Sequence, residues 1–306
     1  MNAAVVLLGY AAALTWLGPR LLRRVTGAGV PPRLAVAAWL TAVAGAVGAW
    51  LAAVAALLVA DIGSMWRHSA LSLCLKALGV AGQIGLPRPV GSVLVVALLA
   101  TGLIVTGVGG VRVARRVRWL RARSRAHASA ARLIGRPTDR SGVVVVPAGQ
   151  AAAYCVAGRP RAVVVTTAAL DRLDEPQLAA VLAHEQAHLA GRHHDVLTVL
   201  RALAASFPGL PLFSAAADAV AVLLEMCADD VAVRRHGSRP LLGGLLALAG
   251  APSSAPAVLG AADTAVLQRA ERLLAPSRCW RHRAVPTAVI AVAVLTPVAA
   301  ALACSL

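Results

Sequence analysis

Four long apolar stretches, each bordered by arginine, limit what this chain can fold into more than any other feature. A helix that crosses a bilayer needs about 20 predominantly apolar residues. The stretches run from about Ala3 to Leu17, Leu34 to Ala60, Val90 to Val111 and Val285 to Ala303. The first is short, and Arg20 can snorkel to lengthen it. Composition points the same way: of 306 residues, 59% are hydrophobic and only 14% charged. Soluble domains carry about a quarter charged residues, and disordered chains are poor in apolar ones. Aromatics make up 3%, so the apolar mass is Ala, Val and Leu.

The arginines give the expected orientation. No positive charge precedes the first apolar run, whereas Arg20, Arg23 and Arg24 follow it. A cleaved signal peptide has the reverse order, so an uncleaved helix with its N-terminus outside is expected. Arg20, Arg23, Arg24 and Arg33 then lie between the first and second stretches. Seven arginines from Arg112 to Arg125 follow the third, and Arg278, Arg281 and Arg283 precede the fourth. The connection Asp61–Pro89 holds only Arg67, Lys76 and Arg88. By the positive-inside rule, the Arg-rich flanks and the region they enclose face the cytoplasm and both termini lie outside the cell membrane. The expected organisation is a three-span membrane domain (1–111), a cytoplasmic domain (112–284) and a fourth span (285–306).

The net charge of +17 raises the question of nucleic acid. The arginine run at 112–125 directly follows an apolar stretch, and only Trp119 interleaves it. Anionic lipid headgroups are therefore the expected partner, and no direct nucleic-acid binding is expected. The five cysteines (Cys74, Cys155, Cys227, Cys279, Cys304) are scattered and odd in number. They read as free thiols in a reducing compartment.

Within the enclosed region, Val143–Val146 and Ala162–Thr166 are β-branched runs bounded by Gly and Pro, with Ala151–Ala157 as a candidate third strand. Asp174 and Gln177 then form a capping-box pattern, with Pro176 in the first turn. Leu178, Val181, Leu182 and Leu189 supply an apolar stripe at helical spacing. This helix carries His184-Glu185-Gln186-Ala187-His188. Residues four apart share one helix face, so two imidazoles can bind one Zn2+ at about 2.0–2.1 Å. Glu185, beside them, is placed to take a proton from water activated by the metal.

A catalytic zinc needs a third protein ligand and a position open to water. His194 completes the longer pattern H-E-x-x-H-x-x-G-x-x-H, with Met226 downstream. Glu225 is the other candidate, in a stretch patterned as a second helix by Val220, Leu223, Leu224, Ala228 and Val231. Three of only 13 acidic residues (Glu225, Asp229, Asp230) fall within six positions there. Glu225 and Asp229 share a helix face, so Asp229 can hold the second nitrogen of a ligand imidazole while Glu225 meets the metal.

The run Ala180–His188 followed by Glu225-x-x-Ala228-Asp229 resembles the gluzincin membrane peptidases, and in span order the chain resembles the BlaR/MecR family. The resemblance covers the layout of nearly the whole chain and, in motif, about 60 residues around the site. It implies His184, His188 and Glu225 as ligands of one Zn2+ per chain and Glu185 as catalytic base. It further implies a regulatory metalloendopeptidase whose protein substrate is a winged-helix transcriptional repressor or the protease itself. Antibiotic-sensing members of that family continue into a penicillin-binding domain. This sequence ends at Leu306, so a protease core without that sensor is expected.

The expected fold is thus an α-helical integral membrane protein of about four transmembrane helices with a small α+β zincin-like metallopeptidase domain. Two rivals to the regulatory reading are a quality-control protease resembling the HtpX type and a non-catalytic signalling scaffold. The segment Val196–Leu224 reads as two amphipathic helices joined at Phe207-Pro208-Gly209-Leu210-Pro211, lying on or dipping into the membrane surface. Asp195 is a cap or turn residue, and Cys227 is a packing thiol close to the metal. Arg234 and His236 are candidates to stabilise an oxyanion. The strand Ala162–Thr166 is a candidate edge for an extended substrate. The stretch Leu241–Ala262 gives no clear pattern.

Overall fold

The computed structural model describes residues 3–27, 30–65, 88–138, 140, 142–156, 161–249 and 269–274. The expected fourth span and Arg278, Arg281 and Arg283 lie outside them, as does most of the Asp61–Pro89 connection. The described residues are mostly helical with one small sheet, and they divide into two units. One draws on Met1–Arg115 and Leu200–Ala217, the other on Arg116–Val199 and Asp218–Cys279.

In the first unit, α1 (Ala3–Trp16) and α2 (Gly18–Val25) form a pair bent by 56°. α3 (Pro32–Met65) runs past Asp61, so that residue extends a helix where a loop was expected to open. Leu7 and Ala11 of α1 pack on Ala49 and Ala53 of α3, small side chains that let the helices approach closely. α4 (Arg88–Ile134) is one helix of 47 residues, roughly 70 Å at 1.5 Å per residue. It joins the third apolar stretch and the arginine run without a break, although Gly109 and Gly110 stand at their junction. Trp50 Nε1 donates to Thr106 Oγ1 at 3.0 Å, tying α3 to α4.

Among the described residues, three helical stretches are long and apolar enough to cross a membrane by length and composition: Pro32–Val59, Val96–Ile134 and Pro211–His236. The bent α1–α2 pair makes a fourth if counted as one span. The last of the three carries Glu225, Asp229 and Asp230, and we do not read it as membrane-spanning.

The second unit is built on a four-stranded sheet: β1 (Arg136–Pro137), β2 (Val143–Val146), β3 (Ala153–Val156) and β4 (Ala162–Thr166), in the order β1-β2-β4-β3. β4 runs parallel to β2, with Val143 opposite Val163, and antiparallel to β3, with Cys155 opposite Val163. It is therefore an inner strand, buried along its whole length, and cannot receive a peptide at its edge as its sequence suggested. β1 and β3 hold the edges. Val163 and Val165 face Val181 and Leu182, while Ala162 and Val164 face Ala128 and Ala131 at the end of α4. The period-2 alternation of one valine run thus supplies both faces of a three-layer core.

After β4 come α5 (Thr167–Arg172) and α6 (Glu175–Ala190), the latter opened by the expected capping box. Asp174 Oδ1 accepts from Gln177 N at 2.8 Å, and Asp174 N donates to Gln177 Oε1 at 3.3 Å. α7 (His193–Ser206) and α8 (Pro211–His236) are the two helices read around the Phe207–Pro211 break, but α8 continues through Glu225 as a single helix of 26 residues. Phe207 packs against Gly109 of α4, where a Cβ would come within 2.6 Å of its ring. α9 (Ser238–Ala249) lies where the sequence gave no clear pattern. Leu241 of α9 is fully buried, and Gly244 lets the helix close on Val181 of α6.

Candidate metal centre

The i, i+4 spacing on α6 stacks His184 and His188 on one face, and their Nε2 atoms lie 3.0 Å apart. α8 brings Glu225 against both, Oε2 at 3.4 Å from His184 Nε2 and Oε1 at 3.4 Å from His188 Nε2. These three side chains offer ligand atoms that all lie within 4.8 Å of one another. Two ligand atoms on one tetrahedral zinc stand roughly 3.3–3.6 Å apart; both 3.4 Å separations meet this, and the 3.0 Å between the imidazoles falls slightly short of it. Two imidazoles and a carboxylate are also the donor chemistry of hydrolytic zinc sites. Glu225 keeps 40% of its side-chain surface exposed, against 6% for His184 and 12% for His188.

His194, the competing candidate, points elsewhere. Its Nε2 lies 2.8 Å from Ser124 Oγ on α4, and it is not part of the metal-capable cluster found among the described residues.

Asp229, one turn beyond Glu225, is almost completely buried, with Oδ1 3.0 Å from His184 Nδ1. At that separation Nδ1 lacks hydrogen-bond geometry, so the contact is one of charge and proximity. Burial disfavours charge on His184 and alone would lower its pKa. The adjacent Asp229 and Glu225 carboxylates outweigh this and push it up to about 9. In turn, burial would raise the Glu225 and Asp229 carboxyls. Contact with His184 and His188 holds Glu225 below the ordinary carboxylate range, and contact with His184 and Arg269 does the same for Asp229.

Glu185 shares α6 with the two imidazoles and is raised above the ordinary carboxylate value, first by burial and against the pull of His184 and His188. The edge strand β3 lies beside it, and the Cys155 backbone works against that rise. Burial and the Glu185 charge push the Cys155 thiol up to about 12, so it is an uncharged neighbour of the base.

Three residues in and around the site escaped the sequence reading. Arg269, in the helical stretch 269–274, donates from Nε and Nη2 to the two oxygens of Asp229 at 2.9 and 2.7 Å. Its Nη1 also lies 3.3 Å from Glu225 Oε2. Three residues on, Arg272 Nη2 donates to Asp230 Oδ1 at 2.6 Å. The adjacent acids implied cations, but nothing marked these two out of 29 arginines. The third missed residue is His193, whose Nδ1 lies 2.9 Å from His188 Nδ1.

Arg234 and His236 are exposed in the last turn of α8, and the guanidinium that reaches the site carboxylates is that of Arg269. Asp195 sits in the first turn of α7, a favourable end of the helix dipole for an acid, and pairs loosely with Arg121 at 3.8 Å. Cys227 is buried.

Residues 114–234 match the model of peptidase family M48, a segment that contains His184, Glu185, His188, Glu225 and Asp229. The match supports a metallopeptidase domain. No curated protein and no solved structure gives a significant match to the chain.

Proposed function

We propose, from that match and the three convergent ligand atoms, that the chain is a membrane-embedded zinc endopeptidase with His184, His188 and Glu225 as ligands. The observation that carries the proposal is the meeting of Glu225, from α8, with both α6 imidazoles at 3.4 Å while Glu185 stands beside them. When bound, zinc supplies Lewis acidity that acidifies water and polarises a peptide carbonyl. Glu185, its proton affinity raised by burial, takes the proton of the attacking water and hands it to the leaving amine. Asp229 holds His184 through Nδ1 and is itself held by both arms of the Arg269 fork. Arg269 also places a fixed positive charge beside Glu225, next to where negative charge develops on the carbonyl.

The apolar helices and the arginine flanks support a multi-pass protein of the cell membrane with its catalytic region in the cytoplasm and its termini outside. The resemblance in span order to BlaR/MecR proteins favours a regulatory protease that cleaves a winged-helix repressor or itself. The test is a comparison of wild type with Glu185→Gln, both full-length in membranes. The variant should lose about 100- to 10,000-fold in cleavage rate while retaining zinc. Undiminished cleavage by Glu185→Gln would refute the mechanism. A proteome in which many membrane proteins accumulate in the variant would replace the single-regulator reading with quality control.

A further inference from the structure

The two imidazoles of the cluster are held from behind by different groups. His184 Nδ1 faces the Asp229 carboxylate at 3.0 Å, whereas His188 Nδ1 faces Nδ1 of His193 at 2.9 Å. The His188 and His193 rings meet edge to face at 90°, with centroids 4.8 Å apart. His193 is 9% exposed and opens α7, only five residues after His188.

The backbone between them is shaped to make that contact. α6 ends at Gly191, and Arg192 takes φ +51°, the only positive φ of a non-glycine among the described residues. This left-handed step reverses the chain and is unfavourable for an L side chain such as arginine. It folds His193 back under the last turn of α6. A Cβ on Gly191 would lie 2.4 Å from His193 Nε2 and 2.6 Å from its Cδ2, so only glycine leaves the ring its place.

We infer that His193 is a positioning residue of the metal centre, fixing His188 in the tautomer whose Nε2 is free to bind metal. The inference rests on the zinc reading above. An N–H carried on His188 Nδ1 and donated to His193 Nδ1 leaves the Nε2 lone pair directed toward His184 and Glu225. His193 approaches the nitrogen opposite to the one that faces the cluster, so it acts through His188 and not as a ligand of the same ion. An imidazole nitrogen thus backs one ring and a carboxylate the other.

The experiment uses the full-length chain in nanodiscs, with zinc affinity measured by competition against a fluorescent chelator. His193→Asn keeps a polar atom near the position of Nδ1, His193→Gln moves it outward toward Nε2, and His193→Phe keeps the ring without nitrogen. Loss of a group that orients a metal ligand weakens binding by about 10- to 100-fold. That loss is expected for Phe and Gln, with Asn within about threefold of wild type by the same measure. The melting temperature of the metal-free protein should not follow this order. Wild-type affinity in the Phe and Gln variants, or equal loss in all three, would overturn the inference while leaving the zinc site standing. A wild-type chain that takes up no zinc would overturn both.

Discussion

At His184 a proton and a metal ion compete for the same ring. Asp229 behind it and Glu225 in front stabilise the doubly protonated imidazole and push its pKa up to about 9, so metal-free protein at neutral pH carries a proton that zinc must displace. Two consequences of opposite sign follow. In the metal-free protein, the stability contributed by protonated His184 is complete below its unfolded value near 6.5 and is lost as pH rises through about 9. Zinc affinity moves oppositely, rising roughly tenfold per pH unit between about 6.5 and 9. Chelator competition at pH 7 and 8.5 measures it, and equal affinities would contradict the assignment of that proton to His184. The candidate ligands His184, His188 and Glu225 were legible at this scale because their signal is local. Two histidines four apart declare a shared face, and an acidic cluster in so basic a chain needs a reason to exist. His193 and Arg269 were not, since each matters through a contact that only the tertiary fold creates. Gly191, immediately before the Arg192 reversal, was the available hint for His193.

Among the elements, strand existence was readable and strand placement was not. The valine run Val163–Val165 announces a buried strand, but a fully buried strand is an inner strand, and β3 with its mixed Ala153-Tyr154-Cys155-Val156 takes the edge beside Glu185. α6 could be read to its cap because Asp174, Pro176 and Gln177 spell a start signal. α9 could not, since its two glycines resemble a turn and are in fact the places where it closes on α6. At Gly244 a Cβ would come within 2.7 Å of Val181 Cγ2 and 3.4 Å of the Gln177 carbonyl. Gly244→Val therefore overpacks the α6–α9 contact and is expected to destabilise the fold by about 1–3 kcal/mol, even though valine is the more apolar residue. Chemical denaturation of the metal-free protein checks this, and an unchanged midpoint would show that α9 does not clamp the metal-bearing helix.

For the molecule as a whole, single long helices carry both apolar and polar stretches. α4 alone exceeds twice the thickness of a hydrocarbon core of about 30 Å, so its apolar beginning can lie in lipid while Ala128 and Ala131 near its end cover the sheet. Composition made the long apolar helices legible, and among the described residues three are long and apolar enough to cross a membrane by length and composition. The continuity of α4 and of α8 was hidden, because periodicity shows where helices can form but not where two of them fuse. The central claim is that an ordinary helix pair, α6 and α8, presents one tetrahedral zinc site from residues 184, 188 and 225. Zinc content of the purified full-length chain, measured by elemental analysis after dialysis, tests it most directly. About one Zn2+ per chain is expected in wild type and in His194→Ala, with the metal largely lost in Glu225→Ala because a single zinc site retains only two ligands. A metal-free wild type, or a Glu225→Ala chain that keeps its zinc while His194→Ala loses it, would contradict the account.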